Sequence, residues 1–307
     1  MKAVVMTGHG GVEVLELAEL PDPVPGPGEV VVDIVAASVN AADYKVRLGE
    51  AHYGELTLPH ILGRDFSGVV SAAGAGADLA VGEEVFAVTL APADGAYGEK
   101  IAIAADIVAR KPPWLSHDEA AALALVGITA QHALGEAAQL RAGETILIQG
   151  GAGGVGGFGI QLAKHLGAHV ITTASADNAD YVRTLGADRV IDYRATDFTR
   201  EVADCDVVFD TVGGDVQRRS AAVVRPGGRL VCVAPGPELA SPSRSDISVL
   251  RPNVFRDRAH LDRIGELCVA GAVRPPELTL FDLADVARAH ELSEARHLRG
   301  KLVLRMR

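Results

Sequence analysis

Cysteine is scarce in this sequence: Cys205, Cys232 and Cys268 are its only three, in a chain of 307 residues. They lie far apart and are odd in number, so the sequence predicts neither a disulfide framework nor closely spaced zinc ligands. His52 and His60 do not replace the missing cysteine ligands, because two histidines are too few ligands for a zinc site. We therefore expect a cytoplasmic, reduced protein that binds no metal.

Basic residues and long apolar runs are also few. Acidic residues outnumber basic ones by 40 to 29, and the formal charge is -11, so we expect no nucleic-acid partner. No apolar run reaches the ~18 residues that a membrane-spanning helix needs. The first residues lack the basic and apolar regions of a signal peptide, so no membrane partner is expected.

Aromatic residues make up only 4% of the chain, whereas glycine is abundant, with 34 residues. This composition is typical of an α/β protein whose backbones pack closely. The length exceeds what one hydrophobic core usually spans, which predicts two domains.

The first third of the sequence predicts a β-rich domain. Short Val-rich segments alternate with Pro/Gly turn signals, which is typical of a compact barrel. The predicted strands cover residues 1–6, 12–18, 29–37, 68–73, 84–88 and 100–104.

From Ser116 onward, helices alternate with strands, which indicates βαβ units and a doubly wound parallel sheet. The predicted helices cover residues 119–134, 155–166, 178–185 and 217–224. The predicted strands cover residues 145–149, 169–173, 189–192, 207–210 and 230–233, and a final strand–helix–strand closes the chain. The predicted fold class is therefore α/β.

A glycine-rich loop is the strongest chemical signal. The sequence GAGGVG at 151–156 follows a strand and opens a helix, the context that a dinucleotide-binding loop requires. Gly151 permits the tight turn, Gly153 lets a pyrophosphate approach, and Gly156 lets the helix pack on the strand. The predicted cofactor-binding residues of the loop are Gly151, Ala152, Gly153, Gly154 and Val155.

The residues at the end of the second strand of the predicted parallel sheet, 169–173, indicate whether the cofactor is NAD or NADP. Ala174 stands where NAD enzymes usually place an acidic residue for the ribose 2′-OH. Ser175 follows, and its hydroxyl can donate a hydrogen bond to a 2′-phosphate. The sequence favours NADPH over NADH, although Asp177 lies nearby and no Arg or Lys stands between Ala174 and Tyr181.

Further short motifs run along nearly the whole chain. They are MKAV at 1–4, PGPGEV at 25–30, ASVNAAD at 37–43, GRDFSG at 63–68, GITA at 127–130, DTVGG at 210–214, RPGG at 225–228 and GKLVL at 300–304. In this order and spacing they resemble the medium-chain dehydrogenase/reductase superfamily, and most of all its zinc-free quinone oxidoreductase (zeta-crystallin-like) branch.

The resemblance implies a GroES-like β-barrel catalytic domain at 1–118 and a Rossmann dinucleotide-binding domain at 119–270. The segment 271–307 would return to the catalytic domain, and the active site would lie in the cleft between the domains. Zinc-dependent relatives carry Cys at the position of Asn40 and His at that of Arg64. The resemblance therefore implies catalysis without zinc.

The catalytic candidates lie within the segment 40–47. Asn40 matches a family residue at the nicotinamide cleft, and Lys45 is the candidate cation beside the substrate oxygen. Many relatives have Tyr at the position of Lys45, and here Tyr44 stands one place earlier, so either side chain is a candidate. Asp43 could instead only cap a turn, and Arg47 could be only a surface charge. Tyr97, farther along the chain, is expected to be structural.

The resemblance also carries over further cofactor contacts, most of them at strand ends. They are Thr129 at the carboxamide, Tyr193 at the adenosine, Thr211 and Val212 after the fourth strand, Val233 and Ala234 after the fifth, and Leu250.

The implied activity is NADPH-dependent hydride transfer to a quinone or an α,β-unsaturated carbonyl compound. Two alternatives stay open: reduction of an enoyl thioester, and a non-enzymatic NADPH-binding protein that is structural or senses redox state. The resemblance also implies a homodimer formed through edge strands of the Rossmann sheet, with residues 246–250 as the candidate edge.

Overall fold

The computed structural model describes residues 1–51, 54–234 and 244–306. The chain forms two compact units. The first unit comprises Met1–Leu125, Arg256–Glu266 and Pro275–Arg307, and the second comprises Val126–Phe255 and Leu267–Arg274. Within the described residues, no helix is both long and apolar enough to cross a membrane.

The strands, in chain order, are β1 (Lys2–Met6), β2 (Leu15–Glu19), β3 (Glu29–Val39), β4 (His60–Ile61), β5 (Asp65–Ala73), β6 (Glu84–Val88), β7 (Lys100–Ala104), β8 (Val108–Arg110), β9 (Thr145–Gln149), β10 (His169–Ala174), β11 (Arg189–Asp192), β12 (Cys205–Asp210), β13 (Val224–Cys232), β14 (Ser248–Leu250), β15 (Leu278–Asp282) and β16 (Lys301–Arg305). The helices are α1 (Ala41–Arg47), α2 (His117–Ala130), α3 (Gly154–His165), α4 (Ala179–Thr184), α5 (Asp215–Ser220), α6 (Arg258–Val269) and α7 (Val286–Glu294).

The first unit is built on two sheets. One has the order β2-β1-β4, and the other has the order β15-β16-β3-β5-β6-β8, with β7 also paired to β3. The pairing is antiparallel except between β15 and β16. Its core consists mainly of buried aliphatic side chains of these strands, as the Val-rich segments predict, together with a few aromatic side chains and residues of loops and helices. The strands and helix that close the unit come from the end of the chain, which confirms the predicted final strand–helix–strand.

The second unit holds a parallel sheet with the order β11-β10-β9-β12-β13-β14. This is the doubly wound Rossmann order, in which the order of strand addition reverses between β9 and β12 while all the strands stay parallel. In such sheets a ligand binds outside the carboxyl ends of the strands, at the point where the order reverses. The sequence prediction of an α/β fold with a GroES-like and a Rossmann part is confirmed.

Several predicted element boundaries were wrong. Residues 12–18 form a 3-10 turn at Val12–Val14 before β2 begins. The predicted helix 217–224 lies earlier in the chain, because Val224 already begins β13. The helix predicted at 119–134 ends at Ala130 and continues as a π-helical segment over Gln131–Ala137. The ends of these elements are set by contacts with distant parts of the chain. The local residue pattern, from which they were predicted, changes only gradually at these positions.

Candidate functional site

The glycine-rich loop joins β9 to α3 and is shaped by close packing at two positions. A β-carbon built on Gly151 would lie 2.1 Å from the hydroxyl oxygen of Thr172, and one built on Gly156 would lie 2.3 Å from the carbonyl oxygen of Gly150. On Gly153, by contrast, the nearest atom would be 3.6 Å away. Gly151 and Gly156 therefore serve the packing of the loop, and Gly153 keeps the space above the loop open.

The start of α3 offers backbone donors to an anion. Gly153 is the N-cap residue, and Gly153, Gly154 and Val155 are partly exposed. The first N–H groups of a helix have no carbonyl partner within it, and the helix dipole is positive at this end. A pyrophosphate is the ligand that such a loop fits.

Hydroxyl groups on neighbouring strand ends hold the loop in place. The Thr173 hydroxyl donates to Gln149 Oε1 at 2.8 Å and accepts from the Gly150 N–H at 3.0 Å. The Thr211 hydroxyl donates to the Gln149 carbonyl at 2.7 Å. Thr211, a predicted cofactor contact, thus also fixes the end of β9.

Asp210 shapes the turn that carries the predicted contact Val212. Its carboxylate accepts hydrogen bonds from the backbone of Val212 at 2.9 Å and of Gly213 at 3.0 Å. Burial raises the pKa of Asp210, and these hydrogen bonds oppose that shift. The backbone of Val233 also donates to the Asp210 carbonyl at 3.1 Å. One buried residue therefore joins the ends of β12 and β13.

The ends of β10 and β11 bring Ser175 and Tyr193 to the same edge of the sheet. The Tyr193 N–H donates to the Ala174 carbonyl at 3.4 Å. Arg194 follows, with its guanidinium carbon 5.8 Å from the centre of the Tyr193 ring. The prediction of cofactor preference considered only residues 174–181, and so it missed this cation on the neighbouring strand end.

The remaining predicted cofactor contacts lie in different settings. Ala234 is buried next to Val233, directly after β13. Leu250 is half-buried at the end of β14, opposite Val231 of β13. Thr129 lies in the last turn of α2 and is half-buried.

In the first unit, Asn40 bridges a buried cation and a buried carboxylate. Its side-chain oxygen accepts a hydrogen bond from Lys301 Nζ at 2.7 Å, and its amide nitrogen donates to Asp65 Oδ1 at 2.8 Å. Lys301 also donates to the Val39 carbonyl at 3.0 Å. The Asn40 amide is therefore fixed at both ends.

Asp65 and Lys301 compensate each other's charge across that amide. Asp65 is fully buried and also accepts from the Ser38 hydroxyl at 2.7 Å. Burial lowers the pKa of Lys301, while the nearby carboxylates Asp65 and Asp43 oppose that shift. Sequence analysis named neither Asp65 nor Lys301 as a functional residue. Both lie inside the quoted GRDFSG and GKLVL motifs, which were the only available signal.

Asp43 lies in the first turn of α1 and is buried. Its Oδ2 accepts from the Asn40 N–H at 2.7 Å and from the Tyr97 hydroxyl at 2.9 Å, whereas Oδ1 has no hydrogen-bond partner. Burial raises the pKa of Asp43 to about 6, aided by Asp65 and opposed by these hydrogen bonds and by Arg64. The cap role foreseen for Asp43 is therefore present, together with an unpaired buried oxygen.

The other predicted residues of α1 are more buried than their types suggest. Tyr44 is buried, and burial lowers the pKa of Lys45, an effect that the nearby cation Arg296 reinforces and Glu50 opposes. The surface-charge interpretation of Arg47 is wrong, because its side chain is fully buried. It donates from Nη1 to the Gly10 carbonyl at 2.7 Å, and α7 supplies further partners.

The residues at the positions where zinc-dependent relatives carry their ligands do not fit a zinc ion. Both ends of the Asn40 amide are occupied by protein partners. A guanidinium such as that of Arg64 has no lone pair to give, since all of its hydrogen-bonding groups are donors. Zinc ligands in proteins are thiolates, imidazoles and carboxylates. His52, the other histidine considered, lies outside the described residues.

Comparisons with known proteins agree with this architecture. Residues 26–113 match the alcohol dehydrogenase GroES-like domain, and residues 185–304 match the zinc-binding dehydrogenase family. The chain is 35% identical to a quinone oxidoreductase of Pseudomonas aeruginosa, with 99% of both chains covered. It is 32% identical to a chloroplastic NADPH-dependent alkenal/one oxidoreductase of Arabidopsis thaliana, covering 99% of this chain and 79% of that protein.

Two solved structures share the fold along the full length. The quinone oxidoreductase from Coxiella burnetii has a TM-score of 0.94 and 33% identity, covering 100% of this chain and 99% of that one. The Escherichia coli quinone oxidoreductase complexed with NADPH has a TM-score of 0.91 and 29% identity, covering 99% of this chain and 100% of that one. The chain is therefore an oxidoreductase that belongs to the quinone oxidoreductase branch of the medium-chain dehydrogenase/reductase superfamily.

Proposed function

We propose that this protein reduces quinones or α,β-unsaturated carbonyl compounds with NADPH and without a metal. The observation that carries the proposal is the glycine-rich loop, in which Gly151 and Gly156 pack tightly while a β-carbon on Gly153 would meet no atom closer than 3.6 Å. Relatives named for quinone and for alkenal/one reduction support the choice of acceptor.

The second unit would hold the cofactor, whose nicotinamide supplies a hydride when bound. Backbone N–H groups of residues 152–155 would bind the pyrophosphate. Val212, Val233 and Ala234, at the ends of β12 and β13, would line the nicotinamide side, with Thr129 and Leu250 as further contacts. Thr211 would act chiefly through the strand end that it fixes.

The first unit would supply the groups that orient the substrate. Lys45 would stabilise the negative charge that develops on the substrate oxygen, with Tyr44 as the alternative donor. A buried cation suits this task, because a charge out of water acts more strongly on a developing anion. Asn40, whose amide is held at both ends by Lys301 and Asp65, would lie at the nicotinamide cleft, as the resemblance implies.

A preference for NADPH is proposed from the ends of β10 and β11. Ser175 can donate a hydrogen bond to the 2′-phosphate, and Arg194 beside Tyr193 offers a cation to it. The guanidinium is suited to phosphate, because its donors match the geometry of the oxygens.

Absorbance of the reduced cofactor tests both proposals, with NADPH and NADH measured in parallel on 1,4-quinones, short enones, an enoyl thioester and simple aldehydes. Turnover of quinones or enones but not of aldehydes is expected. Arg194→Ala should raise the KM for NADPH about tenfold or more and leave that for NADH unchanged. Arg183→Ala, which removes an exposed ion pair with Asp180, is the control. Tight NADPH binding without turnover of any acceptor would instead support the non-enzymatic alternative.

We further propose a cytoplasmic homodimer. The edge strand β14 ends the sheet order of the second unit and would pair with its copy. Sedimentation of the wild-type protein against Val249→Pro, which cannot extend the sheet, tests this arrangement.

A further inference from the structure

The short helix α1 is held at both of its ends by distant parts of the first unit. At its start, Asp43 Oδ2 accepts hydrogen bonds from the Asn40 N–H at 2.7 Å and from the Tyr97 hydroxyl at 2.9 Å. At its end, Arg47 Nη1 donates to the Gly10 carbonyl at 2.7 Å. Isolated helices shorter than about 12–15 residues are marginal in water, and α1 has only 7. Contacts with the rest of the unit therefore decide where this helix lies.

Arg47 joins α1 to α7. Its side chain is fully buried, donates from Nε to His290 Nδ1 at 3.3 Å and forms an ion pair with Glu294. The Gly10 N–H in turn donates to the Arg47 carbonyl at 3.0 Å. A buried cation is stable only while its partners stay in place. The end of α1 is therefore tied firmly to α7 and to the loop that follows β1.

His290 connects the two ends of α1. Its ring lies nearly edge-on to the ring of Tyr97, with the centres 5.8 Å apart and the planes at 74°. Tyr97 is itself fully buried, and a glycine at position 63 gives its ring room, because a β-carbon there would lie 2.5 Å away. The contacts run from Asp43 to Tyr97, to His290, to Arg47 and back into α1. We call these four residues the α1 clamp.

The α1 clamp fixes the rotation of the helix about its axis. Residues four apart lie on the same face of a helix, so Asp43 and Arg47 mark the clamped face. Each residue turns the helix by about 100°, which places Lys45 on the opposite face. The charges that act on Lys45 are those of Arg296 and Glu50, both on exposed side chains. A turn or shift of α1 would therefore displace Lys45.

We propose that Tyr97 and Arg47 are positioning residues, which hold α1 so that Lys45 meets the oxygen of the bound acceptor. This inference rests on the proposed function, in which Lys45 stabilises the charge that develops on that oxygen. The α1 clamp takes no part in the bonds that change and acts by fixing geometry. A displacement of about 1 Å caused by a mutation far from the reacting atoms can lower a rate about 100-fold.

Steady-state kinetics on a 1,4-quinone tests the Arg47 end of the clamp. Arg47→Met should lower kcat about 100-fold. The affinity for NADPH, followed by fluorescence, should not change, because all four clamp residues belong to the first unit. Arg47→Lys keeps a cation that can donate to one of the former partners, and it should recover part of the lost kcat.

Tyr97→Phe tests the other end, since it removes the hydroxyl and keeps the ring. It should lower kcat about tenfold, less than Arg47→Met, because one hydrogen bond is lost instead of three contacts. NADPH affinity should again stay unchanged. A merely structural tyrosine would lower the stability of the variant but leave the kcat of the folded protein as it was.

Two variants of the same unit serve as controls. Arg258→Met removes a guanidinium that donates to two backbone carbonyls and pairs with Asp78. Ser67→Ala removes a buried hydroxyl that donates to the Val85 carbonyl at 2.8 Å. None of these partners lies on α1 or α7, so both controls should keep the kcat of the wild type. Equal losses of kcat in the controls and the clamp variants would overturn the inference, because general loosening of the unit would then explain both.

The position of Lys45 can also be measured without turnover. NMR of ¹³C-labelled lysine side chains follows the titration of the amine, and Lys45→Arg identifies the signal. Burial lowers the pKa of Lys45 from its ordinary value of 10.5. A loosened α1 would bring the amine into water, so this pKa should rise in Arg47→Met and Tyr97→Phe and stay at the wild-type value in the two controls.

The outcomes separate the clamp from the proposed function. If the wild type turns over and both clamp variants match it in kcat and in the pKa of Lys45, the inference is wrong and the proposed function stands. If the wild type reduces no acceptor, the proposed function fails and the role of the clamp in the reaction fails with it. Should Arg47→Met not fold, Arg47→Lys and Tyr97→Phe decide the question.

Discussion

The two units bury different kinds of polar group. The first unit hides ionisable side chains, among them Asp43, Arg47, Asp65, Lys111, His290 and Lys301. The second hides mainly neutral ones, among them Gln149, Gln161, Thr172, Thr173, Ser175 and Ser220. Neutral groups are sufficient to hold a backbone loop in the shape that binds phosphate. Under the proposed function, the first unit would act on charge that appears during the reaction, and charged groups stabilise such charge.

This difference has an energetic side. A buried charge is tolerated only when a partner and hydrogen bonds compensate its loss of hydration. The first unit meets that condition through two hydrogen bonds, from Lys301 to the Asn40 amide oxygen and from the Asn40 amide nitrogen to Asp65. The amide thus lies between the two charges. Removing one member should therefore cost more there than removing a neutral hydrogen bond in the second unit.

The largest expected effect is that of Lys301→Met. It leaves the Asn40 oxygen and the Val39 carbonyl unpaired and Asp65 uncompensated, and should lower the free energy of unfolding by about 3–5 kcal/mol. Urea unfolding measures it. Lys164→Met in the second unit breaks a solvent-exposed pair with Asp188 and should cost about 0–1 kcal/mol. Equal losses in the two variants would refute the contrast between the units.

A smaller loss is expected from Gly156→Ala. The added β-carbon would meet the Gly150 carbonyl at 2.3 Å, and backbone atoms cannot move aside cheaply. We expect the free energy of unfolding to fall by about 2–3 kcal/mol. Gly153→Ala meets nothing closer than 3.6 Å, so it should fold normally and weaken NADPH binding instead. Thermal unfolding and cofactor titration of both variants would show whether packing and binding separate in this way.

The acid stability of the first unit should depend on His290. Burial, helped by Arg47, lowers the pKa of this imidazole to about 3 from the ordinary value of 6.5. Below pH 6.5 the unfolded chain takes up the proton first, so stability should fall by about 1.4 kcal/mol for each pH unit until the folded pKa is reached.

His290→Gln should flatten that decline, as measured by urea unfolding between pH 7 and about pH 4. The control is His169→Gln in the second unit, where the imidazole is about half exposed. An unchanged slope in His290→Gln would show that this buried imidazole does not limit acid stability.

The smallest expected effect is that of Thr173→Val. It removes two neutral hydrogen bonds, to Gln149 and from the Gly150 N–H, and should cost about 1–2 kcal/mol. The shape of the side chain is kept, so packing should not change. A loss as large as that of Lys301→Met would mean that neutral groups in the second unit are as critical as charges in the first.

The second unit could largely be predicted from the sequence, because its signals are local. A strand, a glycine-rich motif of six residues and a helix predicted the dinucleotide-binding loop, and the alternation of strands and helices predicted the parallel sheet. The first unit could be predicted only in part. Asn40 and Lys301 are 261 positions apart, and no periodicity links them. Only the tertiary fold brings the cation to the amide, as it does the Tyr97 hydroxyl to Asp43.

The pairing of β16 with β3 also sets an order of events during synthesis. Leu302 lies opposite Val39, so the sheet of the first unit lacks a strand until residues 301–305 have been made. All segments of the second unit lie within residues 126–274. Domains tend to fold as units while the chain is being made. The first unit is thus the last to be completed. The dinucleotide loop can form before Lys301 is available to donate its hydrogen bond to the Asn40 amide.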